Sequence, residues 1–181
     1  MSYTFLTKAG TLNQLQGKLS NAVIAPLVYF TVADWQNDLA RCIHKVEECL
    51  GEGPWIVRSS CQREDTKDSS HAGAFLSLLN ISKQKLQQAI NDVINSYETP
   101  HSSDEILIQP MLQNVIRSGV AFSHDPNTCS PYRVINWHEG SDTTQVTGGL
   151  EGKCWQQAAL SPVVPPDHLA PIVRLIDELL I

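Results

Sequence analysis

The segment between Ser82 and Pro100 constrains the fold more than any other part of the sequence. Its apolar residues recur at intervals of three and four, which is the spacing of one face of an α-helix; they are Leu86, Ala89, Ile90, Val93, Ile94 and Tyr97. Ser82 suits the N-cap of such a helix, and Pro100 follows its end. The spacing therefore predicts a helix over residues 82–97.

Three extended runs follow this predicted helix. They cover residues 106–109, 118–123 and 132–137. Between the last two runs, residues 125–128 read Asp-Pro-Asn-Thr, which is a turn signal. We therefore expect those two runs to be antiparallel neighbours in a hairpin.

The amino-terminal half also mixes helices and strands. A capping box at Thr31 and Asp34 opens a predicted helix that continues to Leu50 and ends at Gly51. Extended segments are predicted over residues 23–30, where Pro26 suits an edge strand, and over residues 55–57 and 74–80. This mixed order predicts an α+β or α/β fold. We expect one domain over residues 1–181, with at most two lobes of approximately 1–100 and 101–181.

The sequence ends within a predicted helix. After Pro165 and Pro166, apolar residues recur at helical spacing as far as Ile181, and no stop signal follows. Helices usually close with glycine or polar residues. We therefore expect the sequence to be part of a longer protein.

The balance of charge argues against nucleic acid as a partner. Of the 181 residues, 19 are Asp or Glu and 13 are Lys or Arg, which gives a formal net charge of −6. A phosphate backbone is repelled by such a surface. The amino terminus lacks a secretory pattern, and no apolar run reaches membrane-spanning length. We expect a cytoplasmic protein with no membrane partner, whose five cysteines are reduced thiols.

Arg58 is the most informative candidate for ligand binding. It leaves the predicted strand 55–57 and enters a serine-rich loop, and polar loops at strand ends are where α/β folds place ligands. Its guanidinium suits phosphate or carboxylate oxygens, and a structural ion pair with Glu64 or Asp65 is the alternative. Residues 69–73 contain small side chains and a glycine, which suits a phosphate-covering flap or, equally, a solvated loop.

The sequence lacks the motifs of several common catalytic classes. The six histidines show neither HxH nor HExxH spacing, so nothing predicts a metal site built by the protein. The serine-hydrolase elbow and the Walker A loop are also missing.

A set of short motifs extends over nearly the whole chain. Residues 58–65 read Arg-Ser-Ser-Cys-Gln-Arg-Glu-Asp, and residues 70–80 read Ser-His-Ala-Gly-Ala-Phe-Leu-Ser-Leu-Leu-Asn. Residues 108–111 read Ile-Gln-Pro-Met, residues 118–128 contain Gly-Val-Ala-Phe-Ser-His-Asp-Pro, and residues 8–12 read Lys-Ala-Gly-Thr-Leu. In order and spacing these motifs resemble the nucleotide-binding domain of the phosphoenolpyruvate synthase and pyruvate phosphate dikinase family.

The resemblance implies an ATP-grasp-like domain, in which ATP or AMP lies between two lobes. It implies that Lys8 and Arg58 contact the phosphates, with Arg58 as the candidate catalytic residue, and that the 69–73 loop covers them. Adenine would lie against the backbone of residues 109–111. The nucleotide-binding residues implied in this way are Lys8, Arg58, Ser70, Gly73, Gln109, Pro110 and Met111.

The resemblance also implies a reaction and its partners. In the family, a phosphoryl group passes from ATP to a histidine on a separate domain, and from there to pyruvate or a related acceptor. ATP and Mg²⁺ are the cofactors implied. The acidic ligands of Mg²⁺, the phosphohistidine domain and the pyruvate-binding domain would lie beyond residue 181, so we expect this chain to be inactive alone.

Departures from the family pattern leave other interpretations open. The glycines that normally precede the lysine are missing before Lys8, and Cys61, His71 and Cys129 replace the usual small or aromatic residues. A non-catalytic nucleotide-binding or scaffold module is the alternative. A carboxylate–amine ligase is a third interpretation, which the phosphotransferase-type motifs disfavour.

Overall fold

The computed structural model describes residues 6–61, 76–97, 99–141 and 152–180. These residues form a mixed α+β fold of helices and antiparallel sheets. The chain divides into two compact units. The first consists of Ser2–Lys18 and Val23–Met111, and the second of Leu112–Ile181 together with Met1 and Leu19–Ala22.

The described part of the first unit contains a four-stranded sheet. Its strands are β1 (Val28–Thr31), β2 (Trp55–Ser60), β3 (Ser77–Ile81) and β4 (Glu105–Pro110), in the order β1-β4-β2-β3. All neighbouring pairs are antiparallel. The expected edge position of the 23–30 segment is confirmed, because β1 lies at the end of this order. The predicted strand 55–57 is too short: β2 continues to Ser60, so Arg58 lies within a strand and not in a loop.

Helices of the first unit are α1 (Lys8–Leu15), α2 (Val32–Asn37), α3 (Leu39–Leu50) and α4 (Leu86–Asn95). The capping box at Thr31 is confirmed, because Thr31 Oγ1 accepts from the Asp34 amide and Asp34 Oδ2 accepts from the Thr31 amide. The helix predicted over residues 31–50 is in fact two helices. The break lies at Asp38, whose side chain accepts a hydrogen bond from the Arg41 amide and so caps α3.

The start of α4 also differs from the prediction. Ser82 makes no capping hydrogen bond with its side chain, and a 3₁₀ turn over Lys83–Lys85 comes before the α-helix. The apolar stripe itself is confirmed as the buried face of α4, which packs against the sheet.

One face of the sheet packs against α3 and α4 to form the main core. Successive side chains of a strand point to opposite faces, so Trp55 and Val57 enter this core whereas Ile56 and Arg58 lie on the opposite face. The buried strand residues of the core are Val28, Phe30, Trp55, Val57, Ile81, Ile106 and Ile108. Each large apolar side chain contributes about 1.5–3 kcal/mol when it is fully buried. Burial of one face therefore fixes which side chains the other face presents.

The second unit is built on a smaller sheet. Its described strands, β5 (Arg117–Phe122), β6 (Tyr132–Glu139) and β7 (Lys153–Ala158), lie in that order and are antiparallel. The hairpin predicted from the 125–128 turn is confirmed, and Asp125 Oδ1 accepts hydrogen bonds from the amides of Asn127 and Thr128 within it. Strand β7 was not predicted.

The predicted carboxy-terminal helix is confirmed as α5 (Ala170–Leu179). Its Val173 and the preceding Leu169 pack against Ile135 of β6. Arg133 of β6 contacts Asp177 of α5 in an ion pair of 2.5 Å. Among the residues described, no helix is long and apolar enough to cross a membrane.

Candidate functional site

The face of the first sheet opposite the core carries a group of polar side chains. Strand pairing sets Ser60 of β2 directly opposite Glu105 of β4, and Arg58 directly opposite Leu107. Residues that oppose each other in an antiparallel pair lie on the same face, and diagonal neighbours on that face are within reach of long side chains. Gln109 is such a diagonal neighbour of Arg58. Arg58 therefore shares one sheet face with Ser60, Glu105 and Gln109.

Helix α1 brings a second cation to this face. The Ala9 amide donates a hydrogen bond of 2.8 Å to Ser60 Oγ. Lys8 Nζ donates to the carbonyl oxygen of Ser59 across 3.4 Å, and Ser59 is the neighbour of Arg58 along β2. The structure thus brings Lys8 and Arg58 to the same end of β2, although they are far apart in the sequence.

A lysine and an arginine at one place combine two kinds of charge. The ammonium of Lys8 is a compact point charge, whereas the guanidinium of Arg58 presents a planar fork of donors. Oxygens of phosphate or carboxylate groups are the ligands that such a pair recognises.

The residues predicted to contact adenine lie at the end of β4. Gln109 and Pro110 close this strand, and the amide of Met111 donates to the carbonyl oxygen of Pro54 across 2.9 Å. Proline has no backbone N–H. Pro110 and Met111 can therefore offer a ligand carbonyl acceptors but no backbone donor, and the Gln109 side chain supplies an amide.

The predicted flap lies outside the described residues. This holds for Ser70, His71 and Gly73, and also for Glu64 and Asp65, the alternative ion-pair partners of Arg58. Of the predicted site residues, the structure places Lys8, Arg58, Gln109, Pro110 and Met111, all in the first unit.

Glu105 is a residue of this face that the sequence analysis missed. Its Oε2 atom accepts hydrogen bonds from Thr7 Oγ1 at 2.5 Å and from Ser60 Oγ at 3.4 Å. The alternation along β4 puts Glu105 on the same face as Gln109, which is a signal in the sequence. Its contact with Thr7 joins residues 98 positions apart, and no local pattern indicates it.

Metal ligands are a separate question. In the described ranges, no group of three or more His, Cys, Asp or Glu side chains is arranged to hold a metal ion. A Mg²⁺ ion bound together with ATP needs only one or two carboxylates beside the phosphates and water, so this observation concerns sites built by the protein alone.

One solved structure is similar to this chain in fold. The crystal structure of PH1788 from Pyrococcus horikoshii Ot3 matches with a TM-score of 0.50, over 94% of this chain and 76% of that chain. The two sequences are 14% identical, so the similarity concerns the fold alone. No curated protein matches the sequence at a significant level.

The family comparison covers most of the chain. The model of the pyruvate phosphate dikinase AMP/ATP-binding domain matches residues 17–152. This range contains Arg58 and residues 109–111, whereas Lys8 lies before it. Since the match extends over more than half of the sequence, the chain belongs to the family of the pyruvate phosphate dikinase AMP/ATP-binding domain.

Proposed function

We propose that the chain binds ATP on the face of the first sheet opposite the core, within an ATP-grasp-like architecture. In this proposal Lys8 and Arg58 contact the phosphates, and adenine lies against Gln109, Pro110 and Met111. The 69–73 loop, with Ser70 and Gly73, covers the phosphates. The observation that carries the proposal is the contact of Lys8 Nζ with the carbonyl oxygen of Ser59, because it brings the lysine to the residue next to Arg58 along β2.

The charge of this pair favours a polyphosphate over an uncharged ligand. Each oxygen bonded by Lys8 or Arg58 forms a charge-assisted hydrogen bond, which is about twice as strong as a neutral one. The same two cations would stabilise the charge that develops on a phosphoryl group during its transfer. A nucleoside without phosphates gains neither contribution.

The wider role that we propose rests on the family. The chain is the ATP-binding part of a phosphotransferase, which passes a phosphoryl group from ATP to a histidine on a separate domain and then to pyruvate or a related acceptor. The chain's own contribution is to hold the phosphates at Lys8 and Arg58 and the base at residues 109–111. When bound with ATP, Mg²⁺ would neutralise a further part of the negative charge on the phosphates.

Calorimetric titration with ATP, AMP and adenosine tests the phosphate assignment. Charged hydrogen bonds contribute about 1.5–3 kcal/mol each, which corresponds to a loss of about 10- to 150-fold in affinity. Arg58→Ala should therefore weaken ATP binding by that order, while adenosine binds within about twofold of the wild type. Arg58→Lys should recover part of the ATP affinity, because it restores the charge without the fork.

Arg41→Ala is the matched control. Arg41 is an exposed arginine of α3, a helix that packs on the core face of the same sheet. Its removal changes the net charge by the same amount and should leave ATP affinity within about twofold. Equal losses of ATP and adenosine in Arg58→Ala, or equal losses in both arginine variants, would contradict the proposed role. Absence of ATP binding by the wild type at millimolar concentration would contradict the proposed site.

A further inference from the structure

The carboxylate of Glu105 connects α1 to the sheet through two hydroxyl groups. Thr7 Oγ1 and Ser60 Oγ both donate to its Oε2 atom. The same hydroxyls also accept from backbone amides of the first turn of α1: Thr7 Oγ1 from Gly10 at 3.0 Å, and Ser60 Oγ from Ala9 at 2.8 Å. Each hydroxyl therefore lies between the carboxylate and an amide of the helix.

This arrangement fixes the direction of the hydroxyl protons. A hydroxyl has one proton to donate and lone pairs with which to accept. Because the acceptor-only carboxylate takes both protons, the lone pairs of Thr7 and Ser60 remain for the amides of Gly10 and Ala9. Amides of the first turn of a helix have no partner within the helix, so Glu105 orders the groups that satisfy them.

At the sheet end of this network, Tyr97 forms hydrogen bonds with the backbones of Ser60 and Glu105. Tyr97 is buried, and its hydroxyl donates to the backbone carbonyl of Glu105 at 2.7 Å. The same hydroxyl accepts from the Ser60 amide at 3.3 Å, and Ser60 is fully buried. Glu105 and Ser60 are thus tied together by their backbones as well as by their side chains.

Helix α1, in contrast, depends on such an anchor. It has only eight residues, and isolated helices of that length are marginal in water. Lys8 is its first residue and lies between Thr7 and Ala9, both of which the network bonds. A loss of the network would therefore release Lys8 from the end of β2.

We propose that Glu105 is a positioning residue of the ATP site: through the hydroxyls of Thr7 and Ser60 it holds the first turn of α1, and thereby Lys8, beside Arg58. The inference rests on the proposed function for the role of Lys8 towards phosphate.

A double-mutant cycle between Glu105 and Lys8 tests the proposal. Titrations with ATP and adenosine are made on the wild type, Glu105→Ala, Lys8→Ala and the double variant. If Glu105 acts through Lys8, each single variant should weaken ATP at least fivefold, and the double variant should be no weaker than Lys8→Ala within about twofold. Adenosine affinity should change less than twofold throughout. Losses that multiply in the double variant, or an equal loss for adenosine, would overturn the proposal.

Conservative variants separate the hydrogen bond from the charge. Glu105→Gln keeps an acceptor oxygen for Thr7 and should bind ATP within about threefold of the wild type. Thr7→Val keeps the shape and loses the hydroxyl, so it should behave like Glu105→Ala, and Thr7→Ser should restore binding. If Glu105→Gln were as weak as Glu105→Ala, or Thr7→Val as strong as the wild type, positioning through the hydroxyls would be wrong.

Hydrogen exchange provides a readout that does not depend on nucleotide. The amides of Ala9 and Gly10 should exchange at least tenfold faster in Glu105→Ala and Thr7→Val than in the wild type, whereas core amides of β4 remain protected. Unchanged exchange at Ala9 and Gly10 would overturn the anchoring itself. Faster exchange in a chain whose wild type binds no ATP would uphold the anchoring and contradict the proposed function.

Discussion

The amide of Met111 donates a hydrogen bond of 2.9 Å to the carbonyl oxygen of Pro54. This bond continues the pairing of β2 and β4 one residue beyond Trp55 and Pro110. The Met111 N–H is therefore already engaged, and Pro110 has none. An adenine base at residues 109–111 would meet carbonyl acceptors there and no backbone donor from these two residues.

We expect the base to be recognised through its 6-amino group, because the backbone of Pro110 and Met111 offers only acceptors and the side-chain amide of Gln109 is the one other polar group of these residues that we assign to the base. Purine riboside, which lacks that amino group, should bind about 3- to 10-fold more weakly than adenosine, because one hydrogen bond contributes about 0.5–1.5 kcal/mol net. 1-Deazaadenosine, in which a C–H group replaces N1, reports on the Gln109 side chain, whose amide is the donor that could face N1. Calorimetric titration measures all three, and purine riboside that binds as tightly as adenosine would contradict recognition through the 6-amino group.

Local patterns in the sequence correctly predicted the elements that are held by interactions between residues close together in the chain. The capping box of Thr31 and Asp34 and the turn at Asp125 involve neighbours three residues apart or fewer, and both are confirmed. Strand β7 was missed because its run Lys-Cys-Trp-Gln-Gln-Ala has no clear alternation. Pairing with β6 decides its conformation, and this pairing is not a local property.

The residues of the candidate site also differ in whether a local sequence pattern predicts them. Arg58 and residues 109–111 were predicted because they belong to recognisable motifs. The role proposed for Glu105 was not predicted, since it rests on hydrogen bonds to Thr7 and Ser60 across 98 and 45 positions. The serine-rich composition after Val57 is typical of a loop, and the sequence therefore predicted Arg58 in a loop. The paired neighbours β3 and β4 overrode that composition and extended the strand.

Trp55 offers a test of an unpartnered polar atom in the core. Its side chain is fully buried, and within the described residues its Nε1 has no hydrogen-bond partner. A buried donor without a partner costs about 1–3 kcal/mol. Trp55→Phe removes this cost and some apolar area together, so its free energy of unfolding should stay within about 1 kcal/mol of the wild type. Trp55→Ala should lose about 3–5 kcal/mol.

Trp35→Phe is the matched control for Trp55. Trp35 is also buried, but its Nε1 donates to Asn91 Oδ1 at 2.9 Å. The phenylalanine there leaves that amide oxygen without its partner, so Trp35→Phe should be the more destabilising of the two substitutions. Urea denaturation followed by circular dichroism ranks them, and the opposite order would contradict the argument.

The capping box makes stability depend on pH through Asp34. The hydrogen bonds from the side chain and backbone of Thr31 hold the pKa of Asp34 below its usual range. A depressed pKa in the folded state stabilises the protein above the unfolded pKa, near 3.9, and this contribution is lost as the pH falls through the folded pKa. The stability difference between the wild type and Asp34→Asn should therefore be largest near neutrality and shrink below about pH 4.

Thr31→Ala tests the other half of the same capping box. It should lower the free energy of unfolding by about 0.5–2 kcal/mol at pH 7. It should also reduce the pH dependence due to Asp34, because the donors that depress its pKa are weakened. Thr31→Ser keeps the hydroxyl and should retain both properties. Denaturation of these variants at pH 3.5 and pH 7 provides the comparison, and a pH-independent difference for Asp34→Asn would contradict the linkage.

Gly119 in β5 is required by the close approach of β6. A Cβ atom on Gly119 would lie closer to the backbone carbonyl oxygen of Asn136 than real Cβ atoms approach any neighbour. That oxygen cannot easily move away, because β6 is paired on its other side with β7. Gly119→Ala should therefore force the two strands apart and destabilise the second unit by about 1–3 kcal/mol.

Ala121→Ser is the matched control, an exposed change two residues along the same strand, and it should change stability by less than about 0.5 kcal/mol. Hydrogen exchange of the β6 amides localises the effect: faster exchange over Tyr132–Glu139 in Gly119→Ala alone is the expected result, and equal protection in both variants would mean that β5 and β6 can accommodate the methyl group.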